Sequence, residues 1–113
     1  MSEASVRQRL AAEGLSASAW ANGPHDRYPE HRHGYDKVLV AVAGTITFHL
    51  PELDRDVLMA AGDRLQLPAS TLHGATVGSS GVSCLEAQLP AGSLGPGPQL
   101  IRGWGAVDST VGH

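Results

Sequence analysis

Beyond Gly14 the chain is cut into short pieces, and that punctuation limits its fold more than any other feature. Turn signals stand at "NGP" (22–24), Gly44, "PELDRD" (51–56), "GD" (62–63), "PAS" (68–70) and "GSSG" (78–81). The runs between them, 15–21, 28–33, 36–43, 45–50, 56–59, 64–67, 72–77 and 81–88, are too short for packed helices and suit strands. Many short strands at regular spacing in one small chain predict an all-β sandwich or barrel. The one helix expected is at 3–13, "EASVRQRLAAE", where Val6 and Leu10 stand one turn apart and Gly14 follows as a stop. From Ala91 onward the chain is rich in Gly and Pro and is expected to be an irregular tail. Leu100, Ile101 and Trp104 are placed to tack it to the body or to a second subunit, and the residues beyond Val107 are expected to be disordered.

A chain of 113 residues is one domain, with a core over about 15–90 and a tail over 91–113. At this size folding buries roughly 65% of the unfolded surface, enough for a core without disulfides. The formal charge of -3 argues against a nucleic-acid partner, which calls for a basic face. No apolar run is long enough to span a membrane. "MSEASVRQRL" has no apolar stretch after its arginines, so a secretory signal is not expected and a cytoplasmic location is. The single cysteine, Cys84, lies in "GVSCLEA" and reads as a small buried hydrophobe.

Alternation sharpens the strand reading, because successive side chains on a strand point to opposite faces. If the run stays extended, His31, His33, Tyr35 and Lys37 share a face that continues as Leu39, Ala41 and Ala43. Val38, Val40 and Val42 form the other face. Both are apolar, so this strand needs two covers: a barrel interior on one side, and the N-terminal helix or a second subunit on the other. A homodimer is expected on that ground. After Gly44, Ile46, Phe48 and Leu50 face one way and Thr45, Thr47 and His49 the other.

Histidines at i and i+2 on a strand stand side by side and can converge on one metal ion. A second segment, "GDRLQLPASTLH" (62–73), brings His73 to the start of another strand. Together these segments resemble the cupin superfamily. Its first motif, G-x5-H-x-H-x3,4-E-x6-G, is matched by His31, His33 and Gly44, with Lys37 where glutamate is usual. Its second, G-x5-P-x-G-x2-H-x3-N, is matched by Gly62, Pro68 and His73, with Ser70 for the second glycine and Val77 for the asparagine. The resemblance implies an antiparallel jelly-roll β-barrel with an interior site and metal ligands at His31, His33 and His73. Three neutral imidazoles suit a divalent transition metal, Zn, Fe, Ni, Cu or, less readily, Mn.

Lys37 departs from that pattern, because an ammonium repels a cation where a carboxylate would bind it. Three readings stand open. Lys37 bends away to an acid such as Glu86 and the metal keeps three histidines. Lys37 is neutral and acts as a base or binds an anionic substrate. Or Lys37 replaces the metal in an anion site. Glu86 itself could face either way, since Val82 and Cys84 compete with Leu85 for the interior. Lys37 and Tyr35 are the catalytic candidates, and Tyr35, Lys37 and Glu86 the ligand-binding ones. Asp36, on the opposite face, reads as an exposed charge. His25 is expected near the barrel mouth and His49 at the surface. Trp20 and Trp104 read as packing groups, and Arg27, Arg64 and Arg102 as solvated. The expected function is a small metal-binding cupin with an interior pocket for a small molecule. Among enzymes of the family, a dioxygenase or an isomerase/lyase fits. The alternative is a non-catalytic sensor or anion-binding module without metal.

Overall fold

The computed structural model describes residues 1–106. Helix α1 (Glu3–Ala12) begins at a reciprocal cap in which Ser2 and Ser5 each accept the other's backbone N–H. It ends where Gly14 takes the left-handed conformation (φ +80°). Seven strands follow: β1 (Ser18–Asn22), β2 (Arg27–His31), β3 (Tyr35–Leu50), β4 (Arg55–Ala60), β5 (Arg64–Leu67), β6 (His73–Pro90) and β7 (Gln99–Ile101). All pairings are antiparallel, and the sheet order is β1-β6-β3-β5-β7, with β2 also on β6 and β4 also on β3. This is a jelly-roll barrel built round two long central strands.

Gly44 and "GSSG", expected as turns, lie instead inside those long strands. Gly44 (φ +73°) and Gly81 (φ +77°) face each other where the β3–β6 register shifts. A bulge of this kind bends a strand without ending it, so each strand crosses a barrel corner as one continuous element. Only glycine allows the approach: a Cβ on Gly44 would sit 1.9 Å from the Gly81 carbonyl oxygen.

Alternation distributes the apolar residues as expected. Leu39, Ala41, Ile46, Phe48 and Leu50 point into the barrel with Met59, Leu65, Leu67, Val77, Val82 and Cys84. Val38 and Val40 point outward and are fully buried against Val6 and Leu10 of α1, with Leu85 and Ala87 alongside. Complete burial of each such aliphatic side chain stabilises the fold by about 1.5–3 kcal/mol. The second cover of β3 is therefore the chain's own helix, and this face does not require a second subunit.

The tail is more ordered than its composition suggests. Gln99–Ile101 pairs with β5 as strand β7. Leu100 packs on the barrel core and Trp104 on the α1 layer, while Ile101 is exposed. The reason is Asp63, whose carboxylate accepts the backbone N–H groups of Ala60 and Gly103 (2.9 Å each) and faces Arg102 (3.3 Å), pinning the tail to the β4–β5 turn. The expectation of disorder beyond Val107 lies outside the described residues.

Two charged residues are corrected by the fold. Arg64, expected in solvent, is buried: it makes a two-pronged ion pair with Glu13 (2.8 and 3.0 Å) and lies over the Trp104 ring. Asp36 is also buried, because it closes two loops at once. Its Oδ1 accepts from the Ala69 N–H and its Oδ2 from the Leu94 N–H, both at 2.7 Å. Those donors hold its carboxyl below the usual range against the raising effect of burial, with Gly92 and Ser93 adding to them. A depressed carboxyl stabilises the fold above its unfolded value, near pH 4, and that contribution is lost as pH falls through the folded value. Asp36→Asn is thus expected to lower the unfolding midpoint at pH 7. It should also flatten the stability curve below about pH 4. Urea titrations at a series of pH values check both, and an unchanged acid limb would remove Asp36 from the account.

Candidate metal centre

The chain leaves β2 after His31 and enters β3 at Tyr35, so the first histidine pair straddles a strand end. His31 is paired across the sheet with His73, the first residue of β6. His33 reaches the same point from the link between β2 and β3. That link is tied down by a hydrogen bond from the Ser70 N–H to the His33 carbonyl (2.8 Å). Ser70 adopts a left-handed conformation (φ +67°), the geometry that explains the glycine usual at this position of the motif.

One ring nitrogen from each of His31, His33 and His73 lies within 4.8 Å of the other two. His31 Nδ1 is 2.7 Å from the Pro29 carbonyl oxygen, and His73 Nδ1 is 2.9 Å from that of Thr71. A carbonyl only accepts, so both Nδ1 atoms carry a proton, and in the neutral rings both Nε2 atoms keep a lone pair. Outer partners of this kind fix the tautomer that a metal needs. Burial is the main cause holding His73 below its ordinary pKa, outweighing the raising effect of the Thr71 carbonyl; His31, Lys37 and His33 lower it further. His33 is lowered too, by burial first and then by Lys37 and His31, against a raising effect of Glu86. His33 and His73 are therefore disposed to be neutral, as ligands must be.

The residues fit a transition metal. Two nitrogens bound to one ion lie about 3.0–3.4 Å apart for octahedral to tetrahedral angles, and His31 Nε2 and His33 Nε2 are 3.0 Å apart. In the protein alone, the same separation is one hydrogen bond from His33 Nε2–H to His31 Nε2. Such an ion would be held by His31, His33 and His73.

The three rings edge a cavity of about 240 Å³ inside the barrel. Leu39, Ile46 and Phe48 line it with apolar side chains, as do Trp20 and Tyr28, which are in edge-to-face contact. Lys37 and Glu86 stand in the wall as an ion pair, Nζ to Oε1 3.1 Å. Glu86 shares the interior face with Val82 and Cys84, while Leu85 and Ala87 turn to the helix. Its Oε1 also accepts from Trp20 Nε1–H (3.2 Å).

Other candidates lie elsewhere. Tyr35 is not among the cavity-lining residues; its ring stacks behind His33, centroids 4.9 Å apart. His25 is exposed with φ +65° and is not in the metal-ligand group. His49 lies on the outer face between Asp56 (2.8 Å) and Thr76 (2.9 Å). Cys84 is buried, with its thiol pushed up to about 12 by burial and then by Glu86, and so is no nucleophile. The sequence reading missed Trp20 and Tyr28 as cavity residues. The alternation Ala19–Trp20–Ala21 was the available signal for Trp20, but it does not say which face turns inward.

No protein-family model matches the sequence, and no curated protein matches it. Solved structures do. A chain from the DMSP lyases RdDddP and RnDddQII is 25% identical with a TM-score of 0.61, over 75% of this chain and 43% of that one. A cupin superfamily protein from Desulfitobacterium hafniense DCB-2 is 17% identical, TM-score 0.59, over 67% of each chain. A variant of salicylate 1,2-dioxygenase from Pseudoaminobacter salicylatoxidans is 24% identical, TM-score 0.58, over 64% of this chain and 21% of that one. The fold of this chain is the cupin fold. It spans less than half the length of the lyase and about a fifth of the dioxygenase. Among the described residues no helix is long and apolar enough to cross a membrane.

Lys37→Glu tests how far the lysine's field reaches the histidines. It replaces a cation by an anion near the cluster and sets two carboxylates side by side. The metal-free variant is expected to melt lower than wild type, and its metal affinity to rise about tenfold or more. Calorimetric titration with Zn²⁺ measures the second. An unchanged affinity would mean that Lys37 exerts no useful field on the cluster.

Proposed function

We propose that this chain is a metal-dependent cupin that binds a small oxygenated molecule beside a three-histidine transition-metal centre. The observation that carries this reading is the pair of Nδ1–H···O=C hydrogen bonds, which leaves two lone pairs aimed at the space shared with His33. When bound, a divalent transition metal with open positions polarises an oxygen of water or substrate. The chain's own residues do the rest. Leu39, Ile46 and Phe48 exclude water from the apolar end of the molecule. Lys37 and Glu86 offer it a donor and an acceptor. The cavity is smaller than the roughly 300–1,000 Å³ of drug-sized sites, which selects a small ligand. The dioxygenase and lyase among the matched structures support an enzyme of one of those reaction types.

A second reading has its own observation. An ammonium in the cavity wall is an anion contact that needs no metal, so the pocket of a non-catalytic binding module would look similar. Metal analysis separates the two. Purified protein dialysed against Zn, Fe, Ni, Mn or Cu is expected to retain one ion per chain by mass spectrometry. Retention of none, with an anion bound instead, favours the binding module.

A further inference from the structure

The ion pair in the cavity is only half used. Glu86 Oε1 accepts from Trp20 Nε1–H and faces Lys37 Nζ across an ion pair of 3.1 Å. Glu86 Oε2 has no hydrogen bond among the described residues, yet it is not a buried orphan, because Glu86 lines the cavity. Lys37 has three N–H donors, and the ion pair with Glu86 does not use them all. The wall thus presents a free carboxylate oxygen next to a cation with spare donors, facing the space that the histidines edge.

We infer that Glu86 is the proton-accepting catalytic residue of this pocket and that Lys37 is its charge partner. The reaction class is then proton abstraction from carbon beside a carbonyl, on a small hydroxy-ketone or hydroxy-aldehyde. This rests on the proposed pocket and chooses the isomerase/lyase branch of that reading. Glu86 Oε2 takes the proton from the carbon next to the carbonyl. The C–H electron pair becomes the new C=C bond, and the carbonyl π pair moves to oxygen as an enolate. Glu86 has now lost its negative charge, and the Lys37 ammonium turns its spare donors to the new oxyanion. One cation faces one anion before and after the step, so no uncompensated charge is created in a low-dielectric cavity. The hydroxyl proton then passes to the enolate oxygen, and Glu86 returns its proton to the former carbonyl carbon while the carbonyl re-forms at the neighbouring oxygen, which completes an isomerisation. Alternatively the enolate re-forms the carbonyl as the C–O bond on the next carbon breaks, and Glu86 returns its proton to the departing hydroxyl, so that water leaves and an elimination is complete. Neither needs an oxidant or reductant.

The division of labour follows from geometry. Trp20 and Lys37 bind the same carboxylate oxygen and thereby fix which one stays free. Trp20 is a positioning residue in this scheme.

The test is hydrogen–deuterium exchange by NMR in D2O, with dihydroxyacetone, glyceraldehyde and 4-hydroxy-2-butanone as probes. Wild type, with and without added metal, is expected to accelerate exchange at the carbon beside the carbonyl of at least one probe. Glu86→Gln should slow that exchange by about 100-fold or more. Glu86→Asp should restore part of it, and Trp20→Phe should slow it while retaining protein-dependent exchange. Lys37→Met/Glu86→Gln, which leaves no unpaired buried charge, covers the case in which Glu86→Gln fails to fold. Exchange at the wild-type rate in either Glu86→Gln variant overturns the inference, as does the absence of protein-dependent exchange for all three probes. Metal content is read on the same samples. Glu86-dependent exchange in a wild type that holds no ion supports the dyad and overturns only the metal reading.

Discussion

Replacing His73 by alanine is expected to lower metal affinity by about 100-fold or more, since losing an outer-shell partner alone commonly costs 10- to 100-fold. His73 is the informative member of the three. It is the buried one of the three, its Nδ1–H is held by the Thr71 carbonyl, and it comes from a different strand from the His31–His33 pair. Its loss leaves two nitrogens 3.0 Å apart, a pair that can share a proton but closes no three-point site. The side chain borders the existing cavity, so alanine enlarges that space, at a cost of roughly 1–3 kcal/mol in stability. Ion content by mass spectrometry and a far-ultraviolet circular dichroism melt separate the two effects. A folded His73→Ala protein that still binds one ion as tightly as wild type would falsify the three-histidine centre.

Gly44→Val is expected to destabilise the fold severely. Two penalties meet there: the left-handed backbone, about 1–2 kcal/mol for a residue with a Cβ, and the 1.9 Å approach to the Gly81 carbonyl oxygen, which belongs to backbone and cannot swing aside. Relief would require parting β3 from β6 at the barrel corner, and the sum should reach about 4 kcal/mol or more, a large share of a small domain's stability. Gly14→Ala supplies the control. It has the same backbone sign (φ +80°) with nothing within 4 Å of the added Cβ, so it should cost only the backbone term. Solubility, circular dichroism and urea midpoints of the two variants make the comparison. Equal destabilisation would mean that the steric contact at the corner counts for nothing.

The His31–His33 pair was legible from local spacing and alternation, and His73 joined it through the resemblance of its segment to the second cupin motif. His31 and His33 are two residues apart, and His73 follows a Gly62–Pro68 turn segment of fixed length. The interior face was legible for the same reason: Leu39 and Ala41, then Ile46, Phe48 and Leu50, follow the period of two. Gly44 was read in the right place and given the wrong role, because a glycine that ends a strand and a glycine that bends one look alike in one dimension. Asp36 and Arg64 were misjudged because their partners, Ala69 and Leu94 for one and Glu13 for the other, are distant along the chain. Charge alone predicts solvent, and only a partner supplied by the fold makes burial affordable.

The sequence by itself determined the all-β architecture, the helix that opens it and the side-by-side placement of His31 and His33, since each depends on residue type and short-range period; His73 joined that pair only through the resemblance of 62–73 to a cupin motif. Only the tertiary structure decided which partner Lys37 takes, which way Glu86 faces, that Trp20 holds one oxygen of that carboxylate, and that α1 rather than another molecule covers Val38 and Val40. The physical reason is distance along the chain. Alternation fixes which side chains share a face, but the choice of what lies opposite that face is made by strand pairing between segments dozens of residues apart, as between Leu39 and Glu86.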